Sequence, residues 1–180
     1  MPYAYNGKIL EIDLSTGKVA PRQLDDALYH TYLGGSGLVQ GLLRQNPAWL
    51  GIAPDDPANP LIFMTGLLAG TPVPTGDRLS VCTNSPLTGL WTEATVGGFL
   101  GARLKMAGWD GILITGKAAA PVYLWIDDAQ AEIRPAAHLW GKDTYATDAA
   151  LKAETLPGAY TAAIGPAGEN GARIAAIITG

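Results

Sequence analysis

The sequence predicts an α+β fold dominated by β-sheet. Three observations lead there. Five continuous apolar runs, "LIFMTG" (61–66), "LSVCT" (79–83), "GILITG" (111–116), "PVYLWI" (121–126) and "RIAAIITG" (173–180), are too short for buried helices and suit interior strands. The 23 glycines and 13 prolines punctuate these runs instead of forming low-complexity tracts, the grammar of a chain with many tight turns. Helical patterns are few and irregularly interleaved, which favours α+β over a regular alternation.

In chain order, "KILEIDL" (8–14) alternates with Leu10, Ile12 and Leu14 on one face, a half-buried strand. "STGK" turns the chain and "VAPRQL" reads as the returning strand of a hairpin. From Asp25, "DDALYHTYLGG" opens on acids and closes on a glycine pair, the signals of a short helix. Ser36 is the expected cap of a second helix, "GLVQGLLRQN", which Pro47 stops, and "GIAPDDPANP" (51–60) is an exposed loop. Between the later runs, "GGFLGARLKMAGWD" (97–110) carries Phe99, Leu100, Leu104 and Ala107 at helical spacing with Gly108 as the stop. "DTYATDAALKAETL" (143–156) is the clearest amphipathic helix, capped by Asp143, with Tyr145, Ala149, Leu151 and Leu156 expected to be buried.

Composition narrows the function. The 180 residues suit one domain, or one lobe of something larger. With 48% hydrophobic and 16% charged residues the chain has material for a core. The net charge of -4, with Lys and Arg scattered, argues against a nucleic-acid surface, which needs a basic stripe. No apolar run approaches a membrane span, and the N-terminal "MPYAYNGKIL" lacks a signal-peptide pattern, so the expected compartment is the cytoplasm. A single cysteine, Cys82, excludes an internal disulfide framework and an iron–sulfur cluster held by this chain alone.

Most chemistry-bearing residues have a plain structural explanation. "GGSGLVQG" (34–41) is a near miss to the dinucleotide fingerprint, but the segment before it is helical where a strand is required, so a glycine-dependent helix corner is the reading. His30 and His138 have no second ligand at metal spacing and are expected to be hydrogen-bonded structural residues. Cys82 falls mid-strand and reads as a buried, inert thiol. The pairs Asp25–Asp26, Asp55–Asp56 and Asp127–Asp128 belong to a helix start and to turns. "IGPAGEN" (164–170) either cradles a ligand or turns a corner.

Arg78 stands apart. It follows "PTGD" and precedes a strand, inside the Gly- and Thr-rich stretch "GTPVPTGDR" (70–78). A guanidinium fork matches phosphate and carboxylate oxygens, and such a loop leaves backbone N–H groups free to face an anion. A second anion-ready stretch is "TEATVGGFLG" (92–101), with Thr95, Gly97 and Gly98 placed at the start of a helix. Two such loops in one small chain point to a phosphorylated cofactor.

Seven stretches, taken in order, resemble the N-terminal domain of the tungsten-dependent aldehyde ferredoxin oxidoreductases: "YNGKILEIDLSTG", "GTPVPTGDR", "NSPLTG", "GGFLGARLKMAGWDGILITGKA", "PVYLWIDD", "HLWGKDTYAT" and "IGPAGENGARIAAI". The resemblance covers nearly the whole chain, residues 1–180 as a single domain. It implies two β-sheets forming a saddle-like base under a tungsten (or molybdenum) bis-pterin cofactor, whose dithiolene sulfurs hold the metal without protein thiolates. By the same resemblance Arg78 contacts the pterin and links it toward an iron–sulfur cluster. Thr95 falls where the family has a pterin-contacting asparagine, Gly97 matches the following glycine contact, and Gly98 adjoins it. The family's [4Fe-4S] cluster and its acid–base residues lie in later domains, so no catalytic residue and no metal ligand is expected in this chain. The implied reaction oxidises an aldehyde to a carboxylate and passes electrons to ferredoxin, with the remaining domains or a partner subunit, and a homo- or hetero-oligomeric assembly, as partners. The alternatives are a non-catalytic pterin carrier or assembly module, with "RIAAIITG" at an edge, and, more remotely, a nucleotide-binding domain around "GGSGLVQG".

Overall fold

The computed structural model describes residues 4–180; residues 1–3, part of the N-terminal stretch read above for a targeting signal, lie outside the described residues. Its backbone is a six-stranded sheet, β2-β1-β6-β3-β4-β5, with two separate two-stranded ribbons and a few short helices. The strands are β1 (Lys8–Asp13), β2 (Lys18–Gln23), β3 (Leu61–Thr65), β4 (Leu79–Asn84), β5 (Trp91–Val96) and β6 (Gly111–Thr115). Only β1 and β6 pair in parallel, Leu10 opposite Ile112; the other neighbours are antiparallel. The sheet-dominated α+β class is therefore observed. A doubly wound nucleotide fold, which needs a mostly parallel sheet, is excluded.

Strand alternation sends two sets of side chains to opposite faces. Ile9, Ile62, Met64, Cys82 and Leu113 meet helices α1 (Asp26–Tyr32) and α2 (Gly35–Gln45) on one face. Leu10, Ile12, Phe63 and Leu79 meet Leu104 of α3 (Leu100–Met106), Trp109, and the ribbon of β7 (Val122–Asp127) with β8 (Gln130–Pro135) on the other. The second ribbon pairs β9 (Ala162–Ala163) with β10 (Ile178–Thr179), beside α4 (Thr144–Glu154); α5 (Pro166–Glu169) is a single turn.

The helix signals act as the sequence reading expects at two starts. Asp25 accepts from the Ala27 amide at 2.9 Å and Asp143 from Ala146 at 2.7 Å. At α2 the structure differs. Gly34, not Ser36, is the cap, and the Ser36 amide donates to Ser80 Oγ at 3.1 Å. The corner there needs glycine for room, because a Cβ on Gly34 would lie 2.8 Å from the Leu67 amide nitrogen.

Three expectations are corrected. Residues 91–96 form an edge strand, not the approach to a helix; their polar "TEAT" centre is tolerated because β5 pairs on one side only. "RIAAIITG" contributes only Ile178–Thr179 to a ladder, since its partner β9 is two residues long, and Ile174 is 79% exposed. In α4 only Thr147 is buried; Tyr145 and Leu156 are exposed and Ala149 is on the surface, because the helix meets little beyond β9.

The segments joining these layers converge on Asp110, which is 1% exposed. Its carboxylate accepts from the amides of Asn6 (2.9 Å) and Gly7 (2.8 Å) and from the Tyr29 hydroxyl (2.8 Å), and lies 3.6 Å from Lys105 Nζ. Its carbonyl takes both the amide and the hydroxyl of Thr65, and its own amide donates to Lys8 O. Asp110→Asn would keep the shape but leave the Lys105 ammonium buried without its counter-charge. Breaking one side of such a pair costs about 3 kcal/mol or more. Chemical denaturation should show that loss with an unchanged denaturant slope; a loss under ~1 kcal/mol would remove Asp110 from this role.

Candidate cofactor site

The antiparallel ladder of β4 and β5 decides where Arg78 meets its neighbours. Leu79 pairs with Val96 and Ser80 with Thr95, so the residues just beyond the ladder, Arg78 and Gly97, face each other. A Cβ placed on Gly97 would sit 3.5 Å from Arg78 Nη1. Thr75, Asp77, Arg78, Gly97, Gly98 and Phe99 line an open hollow of about 280 Å³. Arg78, Gly97 and Gly98 are thus brought together from two segments, as the sequence reading expects.

Thr95 is placed differently. It lies within strand β5 outside the lining of the hollow, two residues before Gly97, and its hydroxyl donates to Glu93 Oε1 at 3.3 Å. Ser80 also donates to that Glu93 oxygen, at 3.4 Å. Helix α3 starts only at Leu100 and is seven residues long, so Gly97 and Gly98 form the turn before it and not its first residues. An anion in this hollow would meet the guanidinium and glycine backbone, not a helix terminus.

The loop 66–78 is pinned at its ends and across its middle. The Gly66 amide donates to Arg78 O at 2.8 Å, the Gly70 amide to Asp77 Oδ1 at 2.8 Å, and the Arg78 amide to Gly76 O at 3.0 Å. Thr75 is held at φ 61°, a left-handed conformation that is costly for a β-branched residue. Among the described residues no carboxylate lies within ion-pairing distance of Arg78, and Asp77, its neighbour, is turned to the Gly70 amide. Among the described residues no group of three or more His, Cys, Asp or Glu side chains converges either. What the hollow offers is one exposed cation, free backbone and an aromatic edge.

The family model described as "Aldehyde ferredoxin oxidoreductase, N-terminal domain" matches residues 9–180. The chain belongs to the aldehyde ferredoxin oxidoreductase family. The tungsten-containing aldehyde ferredoxin oxidoreductase of Pyrococcus furiosus is 43% identical over 179 residues, and that of Thermococcus kodakarensis 44%; each match covers 98% of this chain and 29% of the relative. The aliphatic sulfonate oxidoreductase, WOR-like subunit, of Pyrococcus furiosus is 36% identical over 192 residues, covering 98% of this chain and 30% of that protein. Among solved structures, the active site complex BamBC of benzoyl coenzyme A reductase with 1,5-dienoyl-CoA superposes with a TM-score of 0.91 at 40% identity, covering 99% of this chain and 27% of that one. The chain spans under a third of the length of these relatives.

Within this family domain, Thr75, Asp77 and Phe99 escaped the sequence reading as lining residues. The "PTGD" turn was legible, but which of its side chains face the hollow depends on the β4–β5 register. The other candidates take structural places. His138 Nε2 lies 3.0 Å from Glu154 Oε2, joining the segment before α4 to its last turn. Glu169, in the "GPAGEN" corner, accepts the Gly141 amide at 2.9 Å, so that segment turns and ties the chain.

Cys82 is fully buried under α2, and burial pushes its thiol from the ordinary 9.0 up to about 12. A thiol whose pKa is raised on folding gives a contribution to stability that is complete below pH 9 and is lost as the pH rises toward 12. In native protein at pH 8 a thiol reagent should therefore label Cys82 only on the timescale of unfolding, and rapidly in denaturant. Fast stoichiometric labelling of the folded protein would contradict the burial.

Proposed function

We propose that the chain, residues 1–180, is the cofactor-binding N-terminal domain of a cytoplasmic tungsten bis-pterin oxidoreductase. Arg78, Gly97 and Gly98 face the anionic groups of the pterin, with Thr95 alongside. The observation that carries the reading is the Arg78 guanidinium, at a hollow whose far wall is bare glycine backbone. The donor set fits such a group. A fork of N–H donors matches anionic oxygens, the absence of Cβ at Gly97 and Gly98 lets a flat ligand approach the backbone, and Cys82, buried in the core, would leave the sulfur ligands of a metal to the cofactor.

Bound there, a tungsten centre held by pterin dithiolenes supplies two-electron redox chemistry. The work of this chain's residues is binding and orientation. Arg78 holds the anionic edge in one register, and the pinned loop 66–78 keeps its backbone in place before the ligand arrives. Thr95 replaces an amide with a hydroxyl whose hydrogen goes to Glu93, so it presents an acceptor to the ligand and not the two-sided pattern of asparagine.

The substrate class we assign is an aldehyde, which with water yields a carboxylate, two electrons and three protons. The support is that the relatives named for this chemistry are 43% and 44% identical, above the 36% of the relative named for sulfonates. An iron–sulfur cluster outside this chain, in remaining domains or a partner subunit, would supply the route for electrons to ferredoxin. Exposed Phe99, Met106, Ile174 and Ile178 supply apolar surface for those parts to cover. The same exposed residues also suit a second reading, an assembly or pterin-carrier module without activity.

Arg78→Ala in the holoenzyme should lower tungsten and pterin per chain about tenfold, since one charge-assisted contact contributes ~1.5–3 kcal/mol. Arg78→Lys should fall between, because an ammonium is a point charge without the planar fork. Unchanged tungsten content in Arg78→Ala would sink the site assignment. Native protein purified with neither metal nor pterin would hand the lead to the second reading.

A further inference from the structure

We propose that Lys105, buried beneath the loop that carries Arg78, is a positioning residue for the cofactor site; the inference rests on the proposed function above. Lys105 is 8% exposed, an unusual place for an ammonium. Its Nζ donates to Gly66 O at 3.1 Å and Leu67 O at 3.3 Å, and its counter-charge, Asp110 Oδ1, lies 3.6 Å away.

Two of those acceptors are consecutive carbonyls at the point where β3 gives way to the loop. Gly66 is also the residue whose amide holds Arg78 O. Two hydrogen bonds, one to each side of Gly66, therefore connect the buried ammonium to the backbone of Arg78. The opposite wall is governed by the same helix. Gly97, Gly98 and Phe99 lead directly into α3, Gly101 of α3 packs against Arg78 O and Leu79 Cβ, and Lys105 follows one turn later. Helix α3 thus ties both walls of the hollow, and Lys105 is its hold on the loop side.

A methionine at 105 could fill the same volume, but it would leave the Leu67 carbonyl and the Asp110 carboxylate without the ammonium and hold Gly66 O through the Ala69 amide alone, freeing the base of the loop to move. Shell residues of this kind typically change ligand retention by 10–100-fold. The test uses the holoenzyme in wild-type form and as Lys105→Met, Lys105→Arg, Arg78→Ala and Leu113→Ala. The last is a buried cavity control on the helix α1–α2 face of the sheet. The readouts are tungsten and pterin per chain after gel filtration, thermal midpoint, and hydrogen exchange of the amides of residues 66–78.

Expected is a roughly tenfold loss of tungsten and pterin in Lys105→Met, with faster exchange in the loop and partial recovery in Lys105→Arg. Leu113→Ala should keep its occupancy despite a lowered midpoint. Wild-type occupancy in Lys105→Met while Arg78→Ala loses the cofactor would overturn the positioning role alone, as would equal losses in Lys105→Met and Leu113→Ala. Wild-type protein without tungsten or pterin would overturn the proposed function, and this inference with it.

Discussion

A carboxylate buried where five segments cross is the constraint on which the rest of the structure depends. Asp110 accepts from the chain ahead of β1 through Asn6 and Gly7, from α1 through Tyr29, and faces α3 through Lys105, while its backbone joins Thr65 of β3 to Lys8 of β1. Burial and the adjacent Asp110 charge push the Tyr29 hydroxyl well above the usual range for tyrosine, so it remains a donor. Burial lowers the Lys105 pKa from the usual lysine value, and the Asp110 charge opposes that shift only in part. Desolvating two opposite charges is expensive, and an apolar replacement of the pair need not be weaker. What the pair supplies is direction. A carboxylate with four donors around it accepts only one arrangement of the segments that bring them.

That arrangement sets the strand order. Asp110 stands immediately before β6, which runs parallel to β1 and antiparallel to β3, so the turn at 109–110 fixes which strands flank it. With β3 placed, the loop 66–78 must leave the sheet and return as β4, and β5 can only take the open edge beyond β4. The candidate site is a product of that sequence of placements. Arg78 and Gly97 are nineteen residues apart in the chain and become neighbours because Leu79 pairs with Val96.

Much of this was legible in the residues, and the failures have a common cause. The apolar runs located β3, β4, β6 and β7, and two aspartate caps marked α1 and α4; the alternation of Leu10, Ile12 and Leu14 gave one packed face of β1, but the strand is not half-buried as read, since Ile9 on its other face is buried under the helices. Arg78, Gly97 and Gly98 were singled out because glycine, threonine and a lone cation carry their chemistry locally, and the fold brings them to one hollow. Thr95 was misplaced because "TEATV" has no apolar periodicity; its strand character comes from β4, a tertiary partner that no local pattern reports. The same limit explains "RIAAIITG", apolar enough for a strand but lacking a long partner. Asp110 and Lys105 escaped because each looks like an ordinary charge at a helix end or turn. The available signal was their setting: an acid held between Trp109 and Gly111 at the head of the apolar run "GILIT" has nowhere to point but inward.

The electrostatics of the site follow from the same local economy of charge. A chain with a net charge of -4 has no broad positive field with which to attract an anion, so attraction must come from a single group at short range. A single cation serves only if nearby carboxylates do not neutralise it first. The two acids flanking the site are engaged elsewhere: Asp77 holds the Gly70 amide, and Glu93 collects the hydroxyls of Ser80 and Thr95. Each of those contacts also stiffens a wall, the first closing the loop and the second bracing the β4–β5 edge. The strained Thr75 fits this scheme, since a loop held on both sides can keep a residue at a backbone angle it would not choose alone. Folding has therefore already fixed the backbone that carries Arg78 and left its charge unpaired, so an anion in the hollow would meet a cation on a loop that needs no reorganisation.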